Sequence, residues 1–166
     1  MSDRFADHPA GFGIVPPHQA VGMSGLDFLC EMMAGRLPAP PFARWARMQP
    51  VEVHEGRVVF EGEPTAEMLN PLGTVHGGWT AALLDSVMAC AVHSVLKPGE
   101  AYTTAEFKVS LVRPIMATTS LVRAEGVLLS RSKRLATSEG RVYAGEKLLA
   151  HGTETALILE AAKGAA

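Results

Sequence analysis

Cysteine is nearly absent: Cys30 and Cys90 are the only two among 166 residues. They indicate neither a disulfide framework nor a metal cluster. Net charge is scarce as well. Charged residues make up 19% of the chain and the formal balance is −2, so nothing marks a nucleic acid or an anionic membrane as a partner. His54, His93 and His151 lie far apart without metal-ligand spacing, and no metal or cofactor is expected. The opening Met1-Ser2-Asp3-Arg4-Phe5 begins no basic-then-apolar signal pattern, so a cytoplasmic protein is the expectation. There is no internal repeat and no βαβ alternation.

What the chain does have is apolar residues, 48% of the total, enough for one domain with a sizeable core. They concentrate between Gly78 and Leu96, where only Thr80, Asp85, Ser86, His93 and Ser94 interrupt small or apolar side chains. Lys97-Pro98-Gly99 follows, a cation and then helix breakers. A helix apolar on all sides is buried in protein or spans a membrane. A span would put Asp85 near mid-bilayer, at a cost of about 2.5–3.5 kcal/mol on insertion scales, without basic flanks or a second span. A buried helix is therefore expected.

That helix opens on Gly77-Gly78, where the absence of Cβ atoms leaves the first N–H groups open to a ligand oxygen at the positive end of the helix dipole. Asp85 stands two turns further on, beside the small residues Gly78, Ala81, Ala82 and Ala89. A buried carboxylate needs a partner or a task. At 1.5 Å per residue, Asp85 is about 10–12 Å along the axis from its own glycine amides. Both cannot touch one reacting carbonyl. Two such helices packed antiparallel would bring the Asp of one chain to the N-terminus of the other, which suggests a site shared by two subunits.

Elsewhere the pattern is mostly strand. Residues 1–23 carry prolines and glycines without periodicity and read as an arm that is loose or laid on a neighbour. Ser24 caps a helix to about Gly35, with Leu26, Leu29, Cys30 and Met33 on one face. Leu37-Pro38-Ala39-Pro40-Pro41 is an extended connector. Gln49–His54 and Arg57–Glu63 flank the turn Glu55-Gly56. After the helix, Ala101–Val112 alternates without a break, placing Thr103, Ala105, Phe107, Val109 and Leu111 on one face. Tyr102, Thr104, Glu106, Lys108 and Ser110 take the other. Thr118–Ser130, Leu135–Tyr143 and Lys147–Leu159 complete an antiparallel set. The fold class is α+β, with residues 1–36 as an N-terminal arm and short helix and 37–160 as the domain.

The run Asn70-Pro71-Leu72-Gly73-Thr74-Val75-His76-Gly77-Gly78, then Leu84-Asp85-Ser86, Ala105-Glu106-Phe107-Lys108-Val109 and Arg113-Pro114, resembles the PaaI-type acyl-CoA thioesterases of the hotdog-fold superfamily. The likeness runs from about Leu37 to Leu159. It implies an antiparallel sheet wrapped round one long central helix, dimerisation through that sheet, and pairing of dimers into a homotetramer. It also implies hydrolysis of an acyl-CoA, with the Gly77 amide polarising the carbonyl and Asp85 of the partner subunit as base or nucleophile. Asn70 then helps place substrate or water, His76 supports the loop before the helix, and Thr104 orients the water. Asn70 equally suits an Asx turn with Pro71.

Coenzyme A carries phosphates. Arg131, Ser132, Lys133 and Arg134 in one turn, Arg113 at a strand end and the Gly78 amide are the candidate binding groups. Met68, Leu69, Trp79 and Leu83 are candidates for the acyl pocket, with ordinary core as the competing assignment. Two other functions compete. One is a non-catalytic acyl-CoA-binding or regulatory protein, against which the presence of Asp85 argues. The other is an enoyl-CoA hydratase, which would want His where Gly73 stands and an upstream Asp where there is only Glu67.

Overall fold

The structure, a computed structural model, describes residues 3–161. Three short helices come first: α1 (Pro17–Val21), α2 (Gly25–Met33) and α3 (Pro41–Ala46). The strands β1 (Met48–His54) and β2 (Arg57–Gly62) follow, then a 3-10 turn at Ala66–Met68 and the long helix α4 (Gly77–His93). Four strands close the chain: β3 (Glu100–Leu111), β4 (Val122–Arg131), β5 (Leu135–Ala144) and β6 (Lys147–Glu160). All six form one antiparallel sheet in the order β1-β2-β4-β5-β6-β3, curled round α4. This is the expected α+β hotdog architecture.

The sheet can wrap α4 because it is hollowed beneath the helix. Gly126, Gly140 and Gly152 pair in one row across β4, β5 and β6. A Cβ on Gly126 would stand 2.2 Å from the Val87 carbonyl oxygen, and one on Gly140 would stand 2.8 Å from Met88 Cγ. Into this trough α4 lowers Leu83, Leu84, Val87 and Met88, all fully buried against Val58, Ala124 and Val142. Burying side chains of this size stabilises a fold by about 1.5–3 kcal/mol each. No helix among the described residues is long and apolar enough to cross a membrane.

Helix α4 stops at His93, three residues short of the expected Leu96. Ser94 explains the difference: its hydroxyl donates to the Ala91 carbonyl and accepts from the Gly56 N–H, both at 2.8 Å, turning the chain out. Strand β4 begins at Val122 rather than Thr118, because Thr119 closes a turn onto Met116 through its N–H and its hydroxyl. Residues 3–16 lie on their own chain. Phe5 is buried under the guanidinium groups of Arg4 and Arg47, and Asp3 pairs with Arg47 at 2.9 Å.

The unbroken alternation expected along Ala101–Val112 is not what β3 does. Thr104 pairs with Ala156 and Glu106 with Thr155, so Ala105 is an extra residue, a β-bulge. The bulge reverses the phase. Tyr102 and Thr104 face α4 before it, and Val109 and Leu111 face α4 after it. Strand β3 is also an unpaired sheet edge twelve residues long, with Phe107 44% and Leu111 58% exposed.

Candidate active site

The start of α4 is built from its own loop. Asn70 closes residues 70–74: its Oδ1 accepts from the Leu72 N–H at 2.9 Å and its Nδ2 donates to Thr74 Oγ1 at 2.8 Å. The Asn70 side chain is thus an Asx-type clasp, and it also lines the cleft described below. His76 is the N-cap of α4, where its Nδ1 accepts from the Gly78 N–H at 2.9 Å. An accepting Nδ1 requires the tautomer with the proton on Nε2. The Gly78 amide is therefore spent on His76. As first residue of the helix, Gly77 has no intrahelical acceptor for its N–H, and that amide makes no hydrogen bond among the described residues. A Cβ at Gly77 would stand 2.8 Å from Leu111 Cδ1, a side-chain methyl that would have to shift to admit it.

Gly77 opens on a cleft of about 220 Å³ that it shares with Asn70, Thr80, Leu111 and Arg113. The Arg113 guanidinium donates to the Leu148 carbonyl at 2.6 Å, which holds the arginine at the rim. Asp85 lies elsewhere, on the wall of a separate cavity of about 530 Å³ between α4 and the N-terminal segment. Phe28, Met32, Phe42, Ala89 and Tyr102 line that cavity, which is mainly apolar. Trp79 and Leu83 do not reach it: both are core, with Trp79 Nε1 bonded to the Ala46 carbonyl at 2.7 Å. Met68 and Leu69 are outside it too.

Half-burial on α4 raises the Asp85 carboxyl above the ordinary value, and a hydrogen bond from Thr104 works in the other direction. Behind them sits Glu154, 2% exposed on β6, with Oε1 3.3 Å from Thr104 Oγ1. Burial, with the charge of Asp85 added, pushes the Glu154 carboxyl from 4.5 to about 8. Sequence reasoning missed Glu154. The signal was present: Gly152, Glu154, Ala156 and Ile158 are the inward residues of one alternating strand, and a glutamate among them is out of character. Burial also pushes the Cys90 thiol to about 12 and the His93 imidazole down to about 4, which leaves both groups neutral.

The structure thus brings Asn70, His76, Gly77 and Gly78 together, and separately Asp85 with Thr104. The turn after β4 is remote from Gly77. Arg131 is ion-paired with Glu100, the first residue of β3, whereas Gly77 meets Leu111, the last. Eleven residues of strand span about 36 Å. Ser132 closes the turn by bonding Leu135 at 3.1 Å, and Lys133 and Arg134 are exposed.

The chain is similar to several known proteins in sequence and fold. A family model described as the thioesterase superfamily matches residues 72–151. A Caenorhabditis elegans protein carrying an esterase name is 32% identical over 111 residues, which is 66% of this chain; the chain spans 65% of that protein's length. The solved phenylacetic acid degradation-related protein of Ralstonia eutropha is 29% identical with a TM-score of 0.73, covering 78% of this chain and 98% of its own. A point variant of the phenylacetic acid degradation protein PaaI of Thermus thermophilus is 30% identical with a TM-score of 0.64. That match covers 70% of this chain and 97% of the other.

Proposed function

The chain belongs to the thioesterase superfamily, in its PaaI-type branch, and on that premise we propose that it hydrolyses an acyl-CoA thioester to the free acid and CoA at a site shared by two protomers. The observation that carries the proposal is the separation of the two reactive groups. The free Gly77 N–H and the Asp85 carboxylate lie eight residues apart on one helix, about 12 Å, and they open on different cavities. Alone, each chain has an oxyanion donor without a base and a base without an oxyanion donor. Two copies pairing their β3 edges antiparallel would set the α4 helices side by side, with Asp85 of each opposite Gly77 of the other. Covering the exposed edge strand and its apolar side chains favours that pairing. The family resemblance in the sequence also suits a pair of such dimers, a homotetramer.

In this site the Gly77 amide, at the positive end of α4, polarises the thioester carbonyl and stabilises the oxyanion that forms. Asp85 takes a proton from the attacking water, and its raised carboxyl makes it a stronger base than an exposed aspartate. Thr104 holds one side of that carboxylate. Collapse of the tetrahedral intermediate expels the CoA sulfur, which picks up the proton. The apolar cavity beside Asp85 suits an apolar acyl group, and Arg113 stands at the rim of the Gly77 cleft for the nucleotide side.

Turnover of a panel of acyl-CoAs, followed with a thiol reagent, tests the reading. Asp85→Asn keeps size and removes the charge, and kcat should fall by about 10²–10⁴ with the fold intact. Mixing Asp85→Asn with a variant blocked at Gly77 should restore part of the activity, since one of the two sites in the heterodimer is then whole. No turnover by the wild-type chain would return the protein to a binding role. No recovery despite subunit exchange would end the shared-site proposal.

A further inference from the structure

Glu154 is an acid in a place where acids are not tolerated without a reason. It lies on the inner face of β6, 2% exposed, and its Oε2 is buried with no hydrogen-bond partner among the described residues. Every element packed against it offers neutral or acidic groups. From α4 come Asp85 and Cys90, from β3 come Tyr102 and Thr104, and from β5 comes Ser138, its direct neighbour in the strand register. His93 stands beyond Tyr102, their rings 5.5 Å apart, and is itself held neutral by burial. No cation is among these groups. A buried carboxyl without a cation is stable only with its proton on.

The hydroxyl between the two acids settles how that proton is used. Thr104 stands against the Asp85 carboxyl, whose proton affinity its hydroxyl lowers, and its Oγ1 is 3.3 Å from Glu154 Oε1. A threonine hydroxyl has one proton to donate. If it donates to the Asp85 carboxylate, its oxygen has only lone pairs for Glu154, and the contact is a hydrogen bond only when Glu154 is the donor. We propose that Glu154 is a neutral carboxylic acid that positions Asp85 through Thr104, in the chain Glu154 O–H to Thr104 Oγ1 and Thr104 O–H to the Asp85 carboxylate. Its role is to aim the base without adding a second negative charge beside it. Glu154 touches no substrate and is a positioning residue. The inference rests on the thioesterase reading for its kinetic arm but not for its spectroscopic one.

Loss of the Glu154 proton breaks the chain. The Thr104 hydroxyl is then contested by two carboxylates, and Asp85 is released from its tether and repelled. Since the carboxyl is pushed up to about 8, this happens within an ordinary assay range.

The experiment compares wild type, Glu154→Gln and Glu154→Leu in the full-length protein, with circular dichroism and melting to certify folding. Infrared difference spectra of wild type should show a protonated carboxylic-acid band near neutral pH that disappears as pH rises through about 8. Glu154→Gln should lack the band. In turnover, wild-type kcat should decline on the alkaline side through the same pH. Glu154→Gln, whose amide still donates to Thr104 but cannot ionise, should lose that decline. Glu154→Leu, lacking a donor, should have a kcat about tenfold below Glu154→Gln, the scale of one hydrogen bond in a reaction barrier. No acid band in wild type, an alkaline decline that persists in Glu154→Gln, or equal kcat in the Gln and Leu variants would each overturn the proposal. Absence of turnover with the acid band present would overturn the thioesterase reading and leave the neutral Glu154 standing.

Discussion

Gly78 donates its N–H to Nδ1 of His76 at 2.9 Å, and this bond decides which of two adjacent glycine amides is free for chemistry. His76 caps the helix, so Gly77 alone presents an uncommitted amide to the cleft. On the proposed mechanism, His76 acts through the backbone. His76→Ala should cost about 1 kcal/mol of stability, the usual loss of an N-cap, and lower kcat as well. His76→Asn, with a side chain that caps well, should recover most of both. Melting and kcat measured on the pair check this. A variant that regains stability but no activity would show that the imidazole itself meets the substrate.

The trough beneath α4 makes a sharp pair of stability predictions. At Gly126 the nearest atom to a new Cβ is the Val87 carbonyl oxygen at 2.2 Å, which is backbone and cannot step aside. At Gly140 it is Met88 Cγ at 2.8 Å, part of a flexible side chain. Gly126→Ala should destabilise by about 3 kcal/mol or fail to fold, and Gly140→Ala by about 1 kcal/mol. Urea denaturation gives both values. A well-folded Gly126→Ala protein would mean that α4 sits higher above the sheet.

The exposed cations in the turn after β4 are remote from their own Gly77, and they bear on the nucleotide across the proposed antiparallel β3 pairing, which sets this turn of one protomer toward the Gly77 end of its partner. Arg131 is already paired with Glu100, which leaves Lys133 and Arg134 as the side chains available to phosphates. Replacing both with Ala should raise KM and leave kcat nearly unchanged, because contacts far from the reacting bond act alike on ground and transition states. Added salt should narrow the difference from wild type. A KM that does not move in the double variant would leave the turn a solvated one.

Stability should depend on pH in a direction set by Glu154. The unfolded chain releases that proton near 4.5, whereas the folded chain keeps it to about 8. Between those values the folded state binds more protons, so its stability falls as pH rises, by up to about 1.4 kcal/mol per pH unit. Asp85, also raised, adds in the same direction. The ion-paired acids Asp3, Glu31 and Glu52 are lowered, and their contribution is lost only as pH falls below the ordinary carboxylate range. Wild type should therefore melt at a lower temperature at pH 8.5 than at pH 5.5, and Glu154→Gln should flatten much of that difference. A melting temperature that climbs across this interval would contradict a proton held by Glu154.

Much of this molecule is local, and the sequence by itself determined those parts. The apolar run after Gly77-Gly78 specified a buried helix because an all-round apolar surface has no other place in a protein of this kind. The turn signals at Glu55-Gly56 and Ala144-Gly145-Glu146 set hairpins, since only certain residues accept those backbone angles. The distance between Gly77 and Asp85 followed from helix geometry alone, and with it the expectation of a site that needs two chains.

What only the tertiary structure decided depends on registration between distant strands. Ala105 becomes a bulge because β3 must keep pairing with β6 while presenting Thr104 on one side of the break and Leu111 on the other to the same helix. No local periodicity encodes that phase change. The choice of Gly77 over Gly78 depends on where the His76 ring turns. Glu154 acquired its meaning from Asp85, Thr104 and Ser138, which lie 69, 50 and 16 residues away in the sequence and meet only where the sheet closes round α4. Burial and neighbouring charge are properties of the assembled interior, and they set the protonation of a carboxyl far more strongly than its position in the chain.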